Sequence, residues 1–185
     1  MDIFTYTLIV VFFIFAAILS FIDIKHQKIP RFLSFSFIGS IYGLRILGTL
    51  LLFLISNGES ETGRLSFSAF LFALYPPTLG LILGLAVFYA VRVVSKLKLG
   101  LADVWFSGAM GTFLGYLGWY AAIAISCLFA LSWIFSLAVL RKIRAKHEGQ
   151  KEISLLKTFR QIQIPFIPFL ASGSLCALLV SSLTR

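Results

Sequence analysis

Long apolar runs, each near the length needed to cross a bilayer and separated by short basic connections, constrain this chain more than any other feature. A helix rises 1.5 Å per residue, so about 20 apolar residues cover the roughly 30 Å of hydrocarbon in a membrane. Six segments come close to that requirement: Ile3 to Ile22, Phe32 to Ile55, Phe67 to Val94, Leu101 to Leu117, Gly118 to Leu140 and Ile162 to Leu183. Hydrophobic residues make up 59% of the chain and charged ones 12%, against about 45–50% and about 25% in an ordinary soluble domain. The fold class read from this is all-α: a polytopic membrane helix bundle of about six transmembrane helices. Its 185 residues have room for one membrane-embedded domain, 1–185, and no separate soluble domain.

Two boundaries need local chemistry. Pro76-Pro77 removes two backbone donors inside the third segment, which predicts an interruption there. The apolar stretch from Leu101 to Leu140 is too long for one crossing and divides near Gly115, Gly118 and Trp119. A tight hairpin with Tyr116, Trp119 and Tyr120 at the membrane interface is expected. The first segment lacks a basic start and a small-residue cleavage pattern, so it is expected to remain as a span rather than act as a cleaved signal peptide.

Orientation follows from the cations. Thirteen of the sixteen Lys and Arg residues lie in the connections after segments one, three and five, and the positive-inside rule assigns those connections to the cytoplasm. Both termini are then expected on the opposite side. The formal charge of +9 is mainly this topology signal. The cations alternate with spans instead of lining one groove, so a nucleic-acid partner is not expected; membrane lipids are.

Against that background two acids stand out. Asp23 closes the first segment and Asp103 opens the fourth, so both are expected at the cytoplasmic edge, where they can meet across the bundle. The other acids lie elsewhere: Asp2 is terminal, Glu59 and Glu61 fall in an opposite-side loop, and Glu148 and Glu152 in the long basic loop. Asp103 has a bland explanation as a helix cap meeting the positive end of the dipole. Asp23, at a helix C-terminus, would need an ion pair with Lys25, His26 or Lys28 instead. A close carboxylate pair offers a sharper chemistry. Like charges at short range cannot both ionise cheaply, so one carboxyl stays protonated and polarises a peptide carbonyl while the other activates water.

At these residues the chain resembles the type IV prepilin and preflagellin peptidases, intramembrane aspartic proteases with a GxGD motif. Three stretches carry the resemblance in order: Asp23 followed by Ile29-Pro30; Gly100-Leu101-Ala102-Asp103 with Gly111 and Gly115 after it; and Ile164-Pro165-Phe166-Ile167-Pro168-Phe169-Leu170-Ala171 in the last segment. The resemblance implies that Asp23 and Asp103 are the catalytic pair, supported by Ile29, Pro30, Gly100, Ala102, Pro165 and Pro168. It implies cleavage of the short basic leader of a type IV pilin-like or preflagellin-like precursor at the cytoplasmic face of the cell membrane. Many relatives also methylate the new N-terminus through a domain holding a four-cysteine zinc site. Cys127 and Cys176 stand alone in apolar segments with no CxxC pair, so no metal, cofactor or methyl transfer is expected.

The chain departs from the family pattern at three positions. Ala102 replaces the second glycine of GxGD, Trp105 stands where a lysine is common, and Arg31 stands where Asn or Asp is common. A divergent or inactive family member is therefore one alternative; a transport component using the aspartates as ion sites, or a membrane scaffold, is another. Lipoprotein signal peptidase also uses two aspartates, but its asparagine-bearing motifs are missing. The pairs Gly39 and Gly43, Gly80 and Gly84, and Gly111 and Gly115 have the spacing of close helix contacts and are read chiefly as internal packing. Arg45, inside the second segment, is expected to snorkel or pair internally.

Overall fold

The computed structural model describes residues 3–26, 29–58, 67–96, 99–147 and 166–183. Five helices and no strand occur among them: α1 Ile3–His26, α2 Arg31–Gly58, α3 Phe67–Val94, α4 Leu101–His147 and α5 Ile167–Leu183. Within α1 to α4, the stretches Ile3–Lys25, Phe32–Ile55, Ser68–Val94 and Leu101–Leu140 are long and apolar enough to cross a membrane, and α5 is a shorter apolar helix. Lipid offers no partner for backbone N–H and C=O groups, and a helix satisfies its own. Large apolar side chains such as Val10, Ile14 and Phe21 of α1, Leu51 and Leu54 of α2, and Leu128 and Phe135 of α4 face outward. That exterior suits hydrocarbon as its solvent, and the chain is a helical membrane protein.

The middle of α4 is its most informative point. Gly115 has φ 72° and ψ 174°, a backbone conformation essentially reserved for glycine. It divides α4 into two arms, 101–114 and 116–147. On a straight helix Ser107 and Trp119 would lie about 18 Å apart along the axis, yet the Trp119 indole N–H donates to the Ser107 hydroxyl at 2.9 Å. The second arm is therefore folded back toward the first. The expected division near Gly115 is present, but Trp119 is not an interfacial anchor: it is 1% exposed and belongs to the core, while Tyr120 is exposed. An indole carries its donor to a buried hydroxyl as readily as to a headgroup.

The core forms around the first arm. Phe113 stacks on Phe12 of α1 with centroids 4.2 Å apart, and Phe106 and Phe37 of α2 complete the aromatic cluster. On its other side the first arm meets α3 backbone to backbone: a Cβ on Gly80 would collide with the Gly111 carbonyl, and one on Gly84 with the Ser107 carbonyl. Gly173 of α5 likewise lies against Ala122 and Ser126 of the second arm. These contacts are internal, as expected of Gly80, Gly84 and Gly111. Gly39 and Gly43 differ, with nothing within 4 Å of a Cβ at either position.

No break appears at Pro76-Pro77; α3 is helical from Phe67 to Val94 with both prolines inside it. Each proline removes one hydrogen bond, and the neighbourhood supports the turn that remains. Thr78 donates its hydroxyl to the Leu74 carbonyl at 2.7 Å and lies 3.2 Å from the Tyr42 hydroxyl of α2. Pro76 packs where Gly115 has no side chain, 3.6 Å from the place a Cβ would occupy. The proline pair and the fold-back thus sit against each other.

Fold-back also releases carbonyls, because the last turn of a helix has no N–H ahead of it. Arg45 of α2 meets one of them, donating from its guanidinium to the Phe113 carbonyl at 3.2 Å. This is the internal pairing expected of Arg45, with a helix end rather than an acid as its partner. A cation there also faces the negative end of the first arm's dipole.

Candidate active site

Asp23 and Asp103 are the only acidic residues among those described. Asp23 lies in the last turn of α1, half-buried, where its own helix dipole opposes a negative charge. Its offset comes from a different helix. The N–H of Ile167, the first residue of α5, donates to the Asp23 carboxylate at 3.3 Å. Helix N-termini leave such donors unpaired, and Pro168 in the same turn of α5 has no N–H to satisfy. The PF-containing motif of the last segment therefore presents one free backbone donor to the carboxylate of the first. Lys25, expected as an ion-pair partner, is exposed with its ammonium 6.0 Å from the centre of the Phe21 ring. Lys28 and the side chain of His26 lie outside the described residues.

Asp103 lies in the first turn of α4 and is 9% exposed. Its carboxylate accepts from the Gly100 N–H at 3.1 Å, the reach-back half of a capping box. A Cβ on Gly100 would stand 3.0 Å from the same oxygen, so glycine lets the carboxylate close over the turn. The capping expected of Asp103 is thus present. Asp103 also feels the charge of Asp23, as well as that of Arg92 in the last turn of α3. Two carboxylates distant in sequence therefore share one end of the bundle and interact electrostatically.

The supporting positions fall around this pair. Ile29 and Ala102 are half-buried and pack against the core. Pro30 precedes α2, its carbonyl accepting from Leu33 at 3.1 Å to start the first turn. Pro165 lies outside the described residues. Trp105 places its ring 4.3 Å from that of Phe35, filling space between α4 and α2, with its indole N–H buried and unpartnered. Cys127 is exposed, Cys176 is half-buried and both are free; no cluster of metal-ligating side chains occurs among the described residues.

Two parts of the site carry little signal in the sequence. Arg92 reads there only as a topology cation, although it closes α3 seven residues before Leu99, whose carbonyl it binds at 2.8 Å. The Ile167 N–H carries no signal in a side-chain alphabet, except that Pro168 marks a helix beginning there.

Chemically, the arrangement holds one buried and one half-exposed carboxylate, each fixed by a backbone N–H on one oxygen. The second oxygen of each has no hydrogen-bond partner among the described residues. No family model, curated protein or solved structure matches this chain.

Proposed function

We propose that this protein is an intramembrane aspartic endopeptidase that removes the short basic leader of type IV pilin-like or preflagellin-like precursors. The observation that carries the reading is the Asp23 and Asp103 pair, held at the end of α1 and the start of α4 and near enough for the charge of Asp23 to bear on the buried Asp103. In an aspartic dyad of this kind, ionisation of one carboxyl disfavours ionisation of the other. One carboxyl in its neutral form polarises the scissile carbonyl; the ionised partner takes a proton from the attacking water. The tetrahedral intermediate collapses as the amine leaves with a proton from the dyad. The order of the three motif stretches supports the family reading, and the cation distribution supports a six-crossing topology with the dyad at the cytoplasmic face of the cell membrane and both termini opposite. A scissile bond just outside a precursor's apolar helix would arrive at that level. Methyl transfer is not part of the proposal.

A second reading has its own observation: both carboxylates cap backbone N–H groups, at Ile167 and Gly100, as two structural aspartates in an inactive relative would. Asparagine separates the two readings, because its amide oxygen still accepts the N–H while its charge and proton transfer are lost. Coexpression with pilin-like precursors from the same genome, followed by N-terminal sequencing, is the test. Cleavage by the native chain and none by Asp23→Asn or Asp103→Asn, at equal membrane accumulation, is expected. Cutting that survives either change would sink the dyad.

A further inference from the structure

We propose that Arg92 is a positioning residue for Asp103, acting through the single peptide unit that joins Leu99 to Gly100. That unit is held at both ends. Its oxygen, the Leu99 carbonyl, accepts from the Arg92 guanidinium at 2.8 Å. Its N–H, on Gly100, donates to the Asp103 carboxylate at 3.1 Å. A peptide whose carbonyl is bound by a cation is polarised, and its N–H becomes a stronger donor. The same clasp fixes the plane of the peptide and hence the direction of the N–H.

Three features make this more than a loop brace. The link is short, with α3 ending at Val94 and α4 beginning at Leu101, so a clasp at Leu99 acts directly on the turn that carries Asp103. Arg92 lies close enough for its charge to reach Asp103 as well, opposing the influence of Asp23. Gly100 is shaped for the relay, since a Cβ there would press on the carboxylate oxygen that takes the N–H. Arginine suits the role because its guanidinium is permanently charged and planar, so it holds orientation as well as charge. The consequence is division of labour in the dyad. Asp103 is held from α3 by a cation and an oriented N–H, Asp23 by the N-terminus of α5, and the two carboxylates meet substrate in unlike surroundings.

The inference rests on the peptidase reading, and its test is built to separate the two. Arg92→Met removes the clasp and the charge, Arg92→Lys restores a charged donor, and Lys96→Met removes a cation from an exposed position in the same connection. With a cleavable precursor, Arg92→Met should lower kcat on the order of 10- to 100-fold at unchanged KM, the scale of a lost charge-assisted hydrogen bond. Arg92→Lys, which restores the charge but not the planar fork, should recover only part of it, and Lys96→Met should cut normally. Arg92→Met cutting as fast as Lys96→Met would overturn the proposal. A double-mutant cycle read by reversible unfolding in mixed micelles is independent of activity. Arg92→Met should shift the unfolding constant at least about threefold more in the native background than in Asp103→Ala, the mark of coupled residues. Equal shifts would show a brace that ignores Asp103 and overturn the assignment. Should the native chain cut no precursor, the peptidase reading fails, and the cycle alone then upholds or overturns the Arg92 to Asp103 linkage.

Discussion

Gly84→Ala adds one methyl group where α3 crosses the first arm of α4, and the geometry sets its effect. The new Cβ would stand 2.5 Å from the Ser107 carbonyl oxygen, 2.8 Å from its carbon and 3.0 Å from the Gly108 Cα. All three are backbone atoms, so no side chain can rotate away. Ordinary contact begins at 3.4 Å, so the helices must part by about 0.9 Å. Overpacking of this kind costs about 1–3 kcal/mol, while alanine gains about 0.8–1 kcal/mol over glycine as a helix former. Gly39→Ala and Gly43→Ala carry the same propensity gain with open space around the new methyl. The comparison isolates the crossing: in reversible unfolding by SDS in mixed micelles, Gly84→Ala should be about 1–3 kcal/mol less stable than either control. Equal stability of the three would refute the claim that the backbones touch there. The same separation would carry Arg92, two turns further along α3, away from Leu99, so loss of the clasp should accompany loss of stability.

Two further outcomes follow from the backbone. Gly115→Ala meets no close neighbour, its nearest being Pro76 Cβ at 3.6 Å, so its cost is the φ of 72° alone; about 1–3 kcal/mol of destabilisation is expected in the same assay, and an unchanged midpoint would contradict the fold-back. Asp23→Ala strands the Ile167 N–H and should lose about 0.5–2 kcal/mol, whereas Asp23→Asn keeps an acceptor and most of that stability; equal losses would mean the hydrogen bond does not hold α5.

Much of the architecture is legible because hydropathy is a property of local sequence. The helices α1, α2 and α3 begin and end within a few residues of the runs read from composition. Pairing depends on which faces meet, and there local sequence says less. Gly80, Gly84 and Gly111 form the expected crossing, but Gly39 and Gly43, with identical spacing, face open space. A glycine pair permits close approach without naming a partner. Intrinsic helix chemistry predicts a break at Pro76-Pro77, whereas α3 continues there with Thr78 bonded to the Leu74 carbonyl and Pro76 seated in the space beside Gly115. The side-chain type of Trp119 points to the interface, and a hydroxyl at Ser107 draws it inside. In the candidate site both carboxylates are visible as isolated acids beside apolar runs. The N–H groups that hold them are not, since every residue but proline has one and only the fold selects which are used.

The bend at Gly115 has a consequence for the bilayer itself. The first arm of α4 rises only about 21 Å from Leu101, and Arg45 lies about the same distance along α2 from Arg31. Both stop short of the roughly 30 Å of hydrocarbon. At that depth sit a guanidinium, its Nε buried without a partner, and the last carbonyls of a helix. α2 continues about 20 Å past this level, so the first arm of α4 and α2 end at unlike heights. A short arm of this kind is met by local thinning, snorkelling or association, which makes the thickness of the host membrane a variable in how firmly this fold is held.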